Sequence, residues 1–257
     1  MENKAFYFGI PLRCKASSND WENICLLFNR TLWSVYNQTN PNFKIIVACH
    51  EIPPLAKDYD NRLEFIEVDI SFPKNLDEQM SDKGYKLHSI GKRIREYGGG
   101  FTMIVDADDL VSRNIVDFVT KNPKNNYGWY VKNGYILYHD TGKFHYAPKF
   151  PSGSNAIINY TIDSLPDNMN GAYTPSSPGN KYIIIMGHST EVKKQACAKI
   201  GRAIKPLPFR AAVYVLGTGD NHSTLNGRRS KIRRLVDVFL STAITKKIRD
   251  EFSIDWM

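Results

Sequence analysis

The chain predicts an open α/β fold: a sheet flanked by helices. Three observations predict it. Short apolar runs alternate with stretches of helical rhythm over about the first 110 residues. Proline, glycine and capping residues separate them. An acidic triplet, Asp106, Asp108 and Asp109, directly follows the last apolar run. Open α/β sheets bind ligands at that end of a strand.

The elements follow in order. Ala5–Ile10 is a short apolar run closed by Pro11 and reads as a buried strand. Asp20 is a suitable N-cap for a helix whose apolar residues, Trp21, Ile24, Cys25, Leu27, Phe28, Leu32 and Val35, recur at threes and fours. Pro41 ends that segment. Phe43–Cys49 and Leu63–Val68 read as the second and third strands. Gln79–Tyr97 carries Tyr85, Leu87, Ile90 and Ile94 in helical rhythm, stopped by Gly98-Gly99-Gly100. Phe101–Val105 is the fourth strand.

The second half is less regular. Tyr127–His139 predicts a hairpin turning at Asn133-Gly134, and Pro148–Pro178, rich in Pro, Ser, Gly and Asn, predicts a long loop. Tyr182–Met186 and Ala211–Leu216 read as strands around a short helix over Glu191–Gly201. From about Lys231 to Phe252, Ile232, Leu235, Val236, Phe239, Leu240, Ala243, Ile244 and Ile248 form one apolar stripe with basic residues at both ends. The expected organisation is one domain over 1–227 and a basic amphipathic helix over 228–257.

Bulk properties narrow the function. With 257 residues, 42% of them hydrophobic, the chain can bury a sizeable core. The formal net charge is +8, crowded toward the C-terminus at Arg228, Arg229, Lys231, Arg233, Arg234, Lys246, Lys247 and Arg249. Such a cluster suits anionic partners, a membrane surface among them. Cys14, Cys25, Cys49 and Cys197 form no CxxC pair, which argues against a cysteine zinc site and for reduced thiols. Met1–Ile10 lacks a long apolar run after a basic start, so no signal peptide is expected, and no stretch reaches the roughly 18 apolar residues of a membrane-spanning helix. A cytoplasmic location is expected, with attachment to the inner membrane face left open.

Carboxylates at a strand end project into a crevice, and hard cations such as Mg²⁺ and Mn²⁺ prefer oxygen ligands. Alone, the motif could mean no more than that Asp108 or Asp109 caps the helix holding Ile115, Val116 and Val119.

The series as a whole resembles the GT-A glycosyltransferases over roughly residues 5–225. It comprises Gly9-Ile10-Pro11-Leu12-Arg13, the helix with Leu32-Trp33-Ser34-Val35 and Gln38-Thr39, Cys49-His50-Glu51, Asp82-Lys83-Gly84-Tyr85-Lys86, and Met103-Ile104-Val105-Asp106-Ala107-Asp108-Asp109. The resemblance implies a GT-A mixed sheet flanked by helices, followed here by the amphipathic C-terminal helix. It implies a metal-dependent transfer of a hexose-type sugar from a nucleoside-diphosphate sugar, a UDP-sugar foremost, to a glycan or lipid-linked hydroxyl in surface-polysaccharide synthesis. Mn²⁺ or Mg²⁺ is the implied cofactor.

The resemblance also implies roles. Asp106 contacts the nucleotide ribose or base, and Asp108 ligates the metal. Asp109 ligates it through water or holds the loop. Pro11, Leu12 and Arg13 line the nucleotide pocket, Glu51 faces the base, and Lys83 or Lys86 lies near the diphosphate. A downstream histidine commonly completes the metal site in this family. His222, on Gly217-Thr218-Gly219-Asp220-Asn221-His222-Ser223, is the candidate, with His188 its competitor. Glu191, at a helix start, is the candidate general base, although the family's Glu-Asp pair is absent, since Val192 follows it; Asp163 and Asp167 are weaker alternatives. The aromatic group Tyr127-Gly128-Trp129-Tyr130 with Tyr135 and Tyr138, and the loop Ser152-Gly153-Ser154-Asn155, are candidates for acceptor contact.

Two rival readings stand beside this one. A nucleotidyltransferase acting on sugar phosphates needs a Gly-rich basic loop after its first strand, and Gly9–Arg13 is poor in glycine. A non-catalytic polyanion- or membrane-binding module would meet repulsion from Asp106 and Asp108 unless a cation intervened. Nucleic acid is not an expected partner.

Overall fold

The computed structural model describes residues 5–122, 124, 127–169, 185, 189–219 and 241–255. In chain order the strands are β1 (Phe6–Pro11), β2 (Lys44–Cys49), β3 (Leu63–Glu67), β4 (Gly100–Ile104), β5 (Leu110–Val111), β6 (Gly128–Tyr130), β7 (Gly134–Tyr138), β8 (Phe144–Ala147), β9 (Ala156–Tyr160), β10 (Lys205–Pro206) and β11 (Ala212–Leu216). The helices are α1 (Trp21–Tyr36), α2 (Leu76–Glu96), α3 (Ile115–Lys121), α4 (Thr190–Lys199) and α5 (Lys246–Phe252).

The larger sheet has the order β10-β6-β9-β4-β1-β2-β3. Its centre, β4-β1-β2-β3, is parallel, and β9 joins β4 antiparallel. β1 and β4 are buried along their whole length, as parallel strands covered on both faces must be. Phe6, Phe8 and Ile10 face the cluster that takes in Ile24, Phe28, Leu32 and Val35 of α1. Tyr7, Ile46 and Ala48 face Leu87, Ile90 and Ile94 of α2 on the other side. The helix starts follow their capping chemistry. Asp20 accepts the Asn23 N–H at 3.0 Å, and Asn75 accepts the Glu78 N–H at 2.9 Å. Gly9 lets α2 approach closely: a Cβ there would lie 2.8 Å from the Ile90 side chain.

The smaller sheet has the order β5-β11-β7-β8. Here the structure departs from the expected hairpin. β6 belongs to the large sheet and β7 to the small one, so the chain crosses between sheets at Asn133-Gly134 instead of turning back. The Val131 N–H bonds to Asn155 O at 2.7 Å, and the Phe150 N–H bonds to Lys132 O at 3.2 Å, which engages the stretch a hairpin would have paired with itself. β7 instead forms a hairpin with β8. The long loop expected over Pro148–Pro178 also contains β9, buried at all five positions. Its Ala156-Ile157-Ile158 run was hidden by the polar, flexible residues before it. The strand expected over Tyr182–Met186 lies outside the described residues apart from Ile185.

The apolar stripe expected as one helix from Lys231 to Phe252 does not continue through its described part. Residues 220–240 lie outside the described residues. Ser241 forms an isolated antiparallel bridge to His145. Thr245 is extended, at φ −68° and ψ 161°, and caps α5 as a new helix. Its hydroxyl accepts the Ile248 N–H at 3.3 Å, an alternative to helix continuation that threonine offers the backbone. The end of the chain then packs into the domain. Phe252 and Ile254 are buried with Leu27, Tyr135 and Phe144, and Ser112 Oγ donates to Glu251 Oε1 at 2.7 Å.

Phe252→Ala should therefore cost about 3–5 kcal/mol of stability through the cavity it leaves. The measurement is the urea midpoint at constant m value. A change within about 0.5 kcal/mol, the range of a surface substitution, would show that α5 is not part of the core.

Candidate active site

The carboxyl ends of β1 and β4 open into one cleft, with α2 along its side. Helical spacing puts Gln79, Asp82, Lys83 and Lys86 on the α2 face that lines it. Pro11, Leu12 and Arg13 continue β1 into the cleft, and Asp106, Ala107 and Asp108 follow β4 into it. Ser152 and Gly153 close it from the loop before β9. The cleft encloses about 200 Å³ and opens to solvent at its mouth. Of the expected nucleotide and metal residues, Pro11, Leu12, Arg13, Lys83, Lys86, Asp106 and Asp108 all converge here.

The three acids of the triplet have different surroundings. Asp106 and Asp108 are half-buried at the cleft, whereas Asp109 is fully buried. Lys83 Nζ lies 2.6 Å from Asp106 Oδ1. Burial alone would lower the pKa of Lys83, but the charges of Asp106, Asp108 and Asp109 outweigh it and hold the ammonium above its ordinary value. Asp109 accepts from Ser154 Oγ at 2.6 Å, from Ser152 Oγ, and from the Val215 N–H at 3.3 Å. Burial, and then the charges of Asp108 and Asp106, push its pKa well above the carboxylate range, against the pull of the two serines. Asp109 thus holds the loop. Thr31 Oγ1 of α1 adds a bond to Ala107 O at 2.9 Å, and the Asp106 N–H bonds to Ser154 Oγ at 2.8 Å.

A second polar group forms the cleft floor. His50 Nε2 is 2.7 Å from Asp82 Oδ1, and Asp82 Oδ2 is 2.7 Å from Lys86 Nζ, which also donates to Leu12 O at 2.7 Å. Lys86 is buried, so it fixes the end of β1 against α2, while Lys83, three residues earlier on the same face, is the lysine that reaches the acids of the triplet.

Other expected residues lie elsewhere. Glu51 is outside the cleft lining and accepts the Lys15 N–H, which holds the turn after Arg13. Glu191 is exposed on the first turn of α4. Hydrogen bonds from Lys194 and Gln195, both at 3.2 Å, lower its pKa, and it does not line the cleft. The expected base role draws no support from that placement, since a general base must reach the proton it removes. Asp163 and Asp167 are exposed and outside the lining as well. The acids among the described lining residues are Asp82, Asp106 and Asp108. Trp129 and Tyr135 pack in the core, against Phe101 at 5.6 Å and Phe144 at 4.7 Å between ring centres, so they offer no exposed sugar platform. His222 and His188 lie outside the described residues.

One residue escaped the sequence reading altogether. Lys193, on α4, is 3% exposed, and its Nζ donates to Gly153 O at 3.3 Å and Asn155 Oδ1 at 3.1 Å. Burial brings its pKa down to about 8, with Asp106 acting against the shift and Lys83 with it. The sequence held no signal for it, because Lys193-Lys194 looks like any solvated pair on a polar helix.

No family model matches the chain, and no curated protein matches it. Among solved structures, S. aureus TarS is 13% identical with a TM-score of 0.45, covering 82% of this chain and 37% of its own. The 1–349 form of S. aureus TarS is 14% identical with a TM-score of 0.42, covering 82% of this chain and 60% of its own. A proposed nucleotide-diphospho-sugar transferase from Desulfovibrio desulfuricans G20 is 11% identical with a TM-score of 0.36, covering 92% of this chain and 94% of its own. The chain thus spans about a third of the full TarS structure it resembles.

Lys193 gives a pH signature. Its folded pKa of about 8 lies below its ordinary value of 10.5, so between these values the unfolded chain binds more protons and the folded state gains stability as pH rises. Relative to Lys193→Met, the wild type should gain about 3 kcal/mol across that window. Urea unfolding at pH 7.5 and pH 10 measures it, and parallel pH dependences in the two proteins would contradict the burial of this amine.

Proposed function

We propose that the chain is a glycosyltransferase whose donor is a nucleoside-diphosphate sugar, a UDP-sugar foremost. One observation supports it most: a single cleft at the carboxyl ends of β1 and β4 gathers Pro11, Leu12, Arg13, Lys83, Asp106 and Asp108. These are residues that the GT-A resemblance assigns to the donor, and they are distant in sequence. Pro11–Arg13 and the α2 face would hold the nucleotide, with Asp106 at its ribose or base. Arg13 and Lys83 offer cationic hydrogen-bond donors for a diphosphate. Lys83 starts paired with Asp106 and would exchange part of that partnership for phosphate oxygens.

The donor set fits a hard divalent cation. Asp106 and Asp108 both line the cleft, and carboxylate oxygens are the ligand type Mg²⁺ and Mn²⁺ favour when substrate phosphate completes the shell; among the described residues no third His, Cys, Asp or Glu joins them, so phosphate oxygens and water would have to supply the rest. Asp108 would hold the ion, with His222 the further ligand proposed from the sequence. When bound, such an ion supplies Lewis acidity to the leaving diphosphate. The bond from the sugar anomeric carbon to the diphosphate breaks, a bond from that carbon to an acceptor hydroxyl oxygen forms, and the hydroxyl proton passes to the departing diphosphate or to water. The acceptor is proposed to be a glycan or a lipid-linked hydroxyl, in surface-polysaccharide synthesis.

The test is turnover of a panel of sugar nucleotides with and without Mn²⁺ or Mg²⁺. Wild type should hydrolyse or transfer from one UDP-sugar only with the cation present. Asp108→Ala should lose at least about 100-fold, the upper scale for losing even a ligand's supporting partner. It should unfold like wild type, because Asp108 is outside the core. Turnover by Asp108→Ala without added metal, or no binding of any sugar nucleotide by wild type, would refute the reading.

A further inference from the structure

Helix α4 was expected to supply a base through Glu191, but the residue it sends inward is Lys193. Its ammonium is taken from water to bond a backbone carbonyl and an amide side chain, Gly153 O and Asn155 Oδ1. Among the described residues no carboxylate pairs with it, and burying a charge without such a partner costs folding free energy that its two hydrogen bonds must offset. What it grips is the cleft wall. Asn155 Nδ2 returns a bond to Ser152 O at 2.7 Å, and the Asn155 N–H bonds Gly153 O at 2.8 Å, so residues 152–155 form one knot. From that knot Ser154 Oγ reaches the Asp106 N–H and Asp109, and Ser152 Oγ reaches Asp109. Gly153 itself faces the cleft.

We propose that Lys193 is a positioning residue of the donor cleft, which holds the Ser152–Asn155 wall against α4 and through it sets where Asp106 and Asp108 stand. The assignment rests on the donor reading for the identity of the ligand, though not for the contact. Lys193 itself is not among the residues that line the cleft. The groups that act on it electrostatically are Asp106, Lys83 and Cys197. Its removal should loosen the wall while the rest of α4 stays anchored by buried Cys197.

The experiment compares wild type, Lys193→Met and Asn155→Ala, which cuts the same contact from the loop side should the first variant fail to fold. Hydrogen exchange reads the wall without any ligand. Binding of UDP with Mn²⁺, and donor KM and kcat, read the cleft. The expected result is faster exchange confined to residues 150–156 and their partner Val131. UDP affinity should fall, and donor KM rise, about 10- to 100-fold, the scale of losing a supporting partner. For Lys193→Met, kcat should hold within about threefold and the melting temperature should be unchanged or higher, a combination that general loss of structure does not give. Unchanged exchange at 150–156, or faster exchange with unchanged UDP affinity, would overturn the assignment. Wild type that binds no sugar nucleotide would overturn the donor reading instead and leave the exchange result to decide on Lys193.

Discussion

The carboxyl group of Asp109 is the junction on which the cleft depends. It has no exposed surface, and it joins three stretches of chain: the turn after β4, the Ser152–Ser154 loop, and β11 through the Val215 N–H. Taking a carboxyl group out of water is costly unless donors replace the water it loses. Here two hydroxyls and a backbone amide do so. Because β4 belongs to the larger sheet and β11 to the smaller, the same bonds tie the sheets together at the point where ligand would enter. The acidic triplet is thus divided in labour. Its last member is spent on structure, and that leaves the first two facing the cleft at fixed positions.

The floor repeats the pattern with other groups. His50, Asp82, Lys86 and the Leu12 carbonyl form a continuous buried chain of bonds between the end of β2, α2 and the end of β1. Such networks contribute less to net stability than their number of bonds suggests, because each charge must first be desolvated. Their value lies in geometry: every member fixes the orientation of the next. Lys83 and Lys86 show how burial separates equivalent residue types. They share one helix face, yet one is consumed by the scaffold and the other meets the acids at the surface of the cleft.

Much of this was legible in the sequence, and unevenly so. The first half announced itself because its strands are buried on both faces and its helices carry a single apolar stripe, so periodicity and capping residues are enough to place them. Pro11, Leu12, Arg13, Lys83, Asp106 and Asp108 were named through the GT-A resemblance and not through the pattern, and the structure brings them to one cleft. The second half depends on long-range pairing, which local pattern does not encode. β9 is a short apolar run behind a Ser-Gly-rich stretch, and β6 and β7 part company only because Asn155, Phe150 and Ala212 receive them. Glu191 is exposed on α4 while Lys193 of the same helix is buried, a difference that the polar pattern does not show. Which side of a polar helix faces inward is decided by a partner that lies 40 residues away in sequence. The C-terminal stripe read as one helix because apolar spacing cannot show that Thr245 restarts the count.

The close approach at Gly9 carries a consequence for how the protein tolerates change. The gap between β1 and α2 is set by the absence of a side chain at this position, since even a methyl group would meet Ile90 and Ile104 at 2.8 Å. α2 brings both Lys83 and Asp82 to the cleft. A larger residue at position 9 would therefore act as a shim beneath the helix and lift the cationic side of the cleft away from the acidic side. The spacing of charges at the mouth is in this sense a thickness, set one layer down by a residue that no ligand would ever touch.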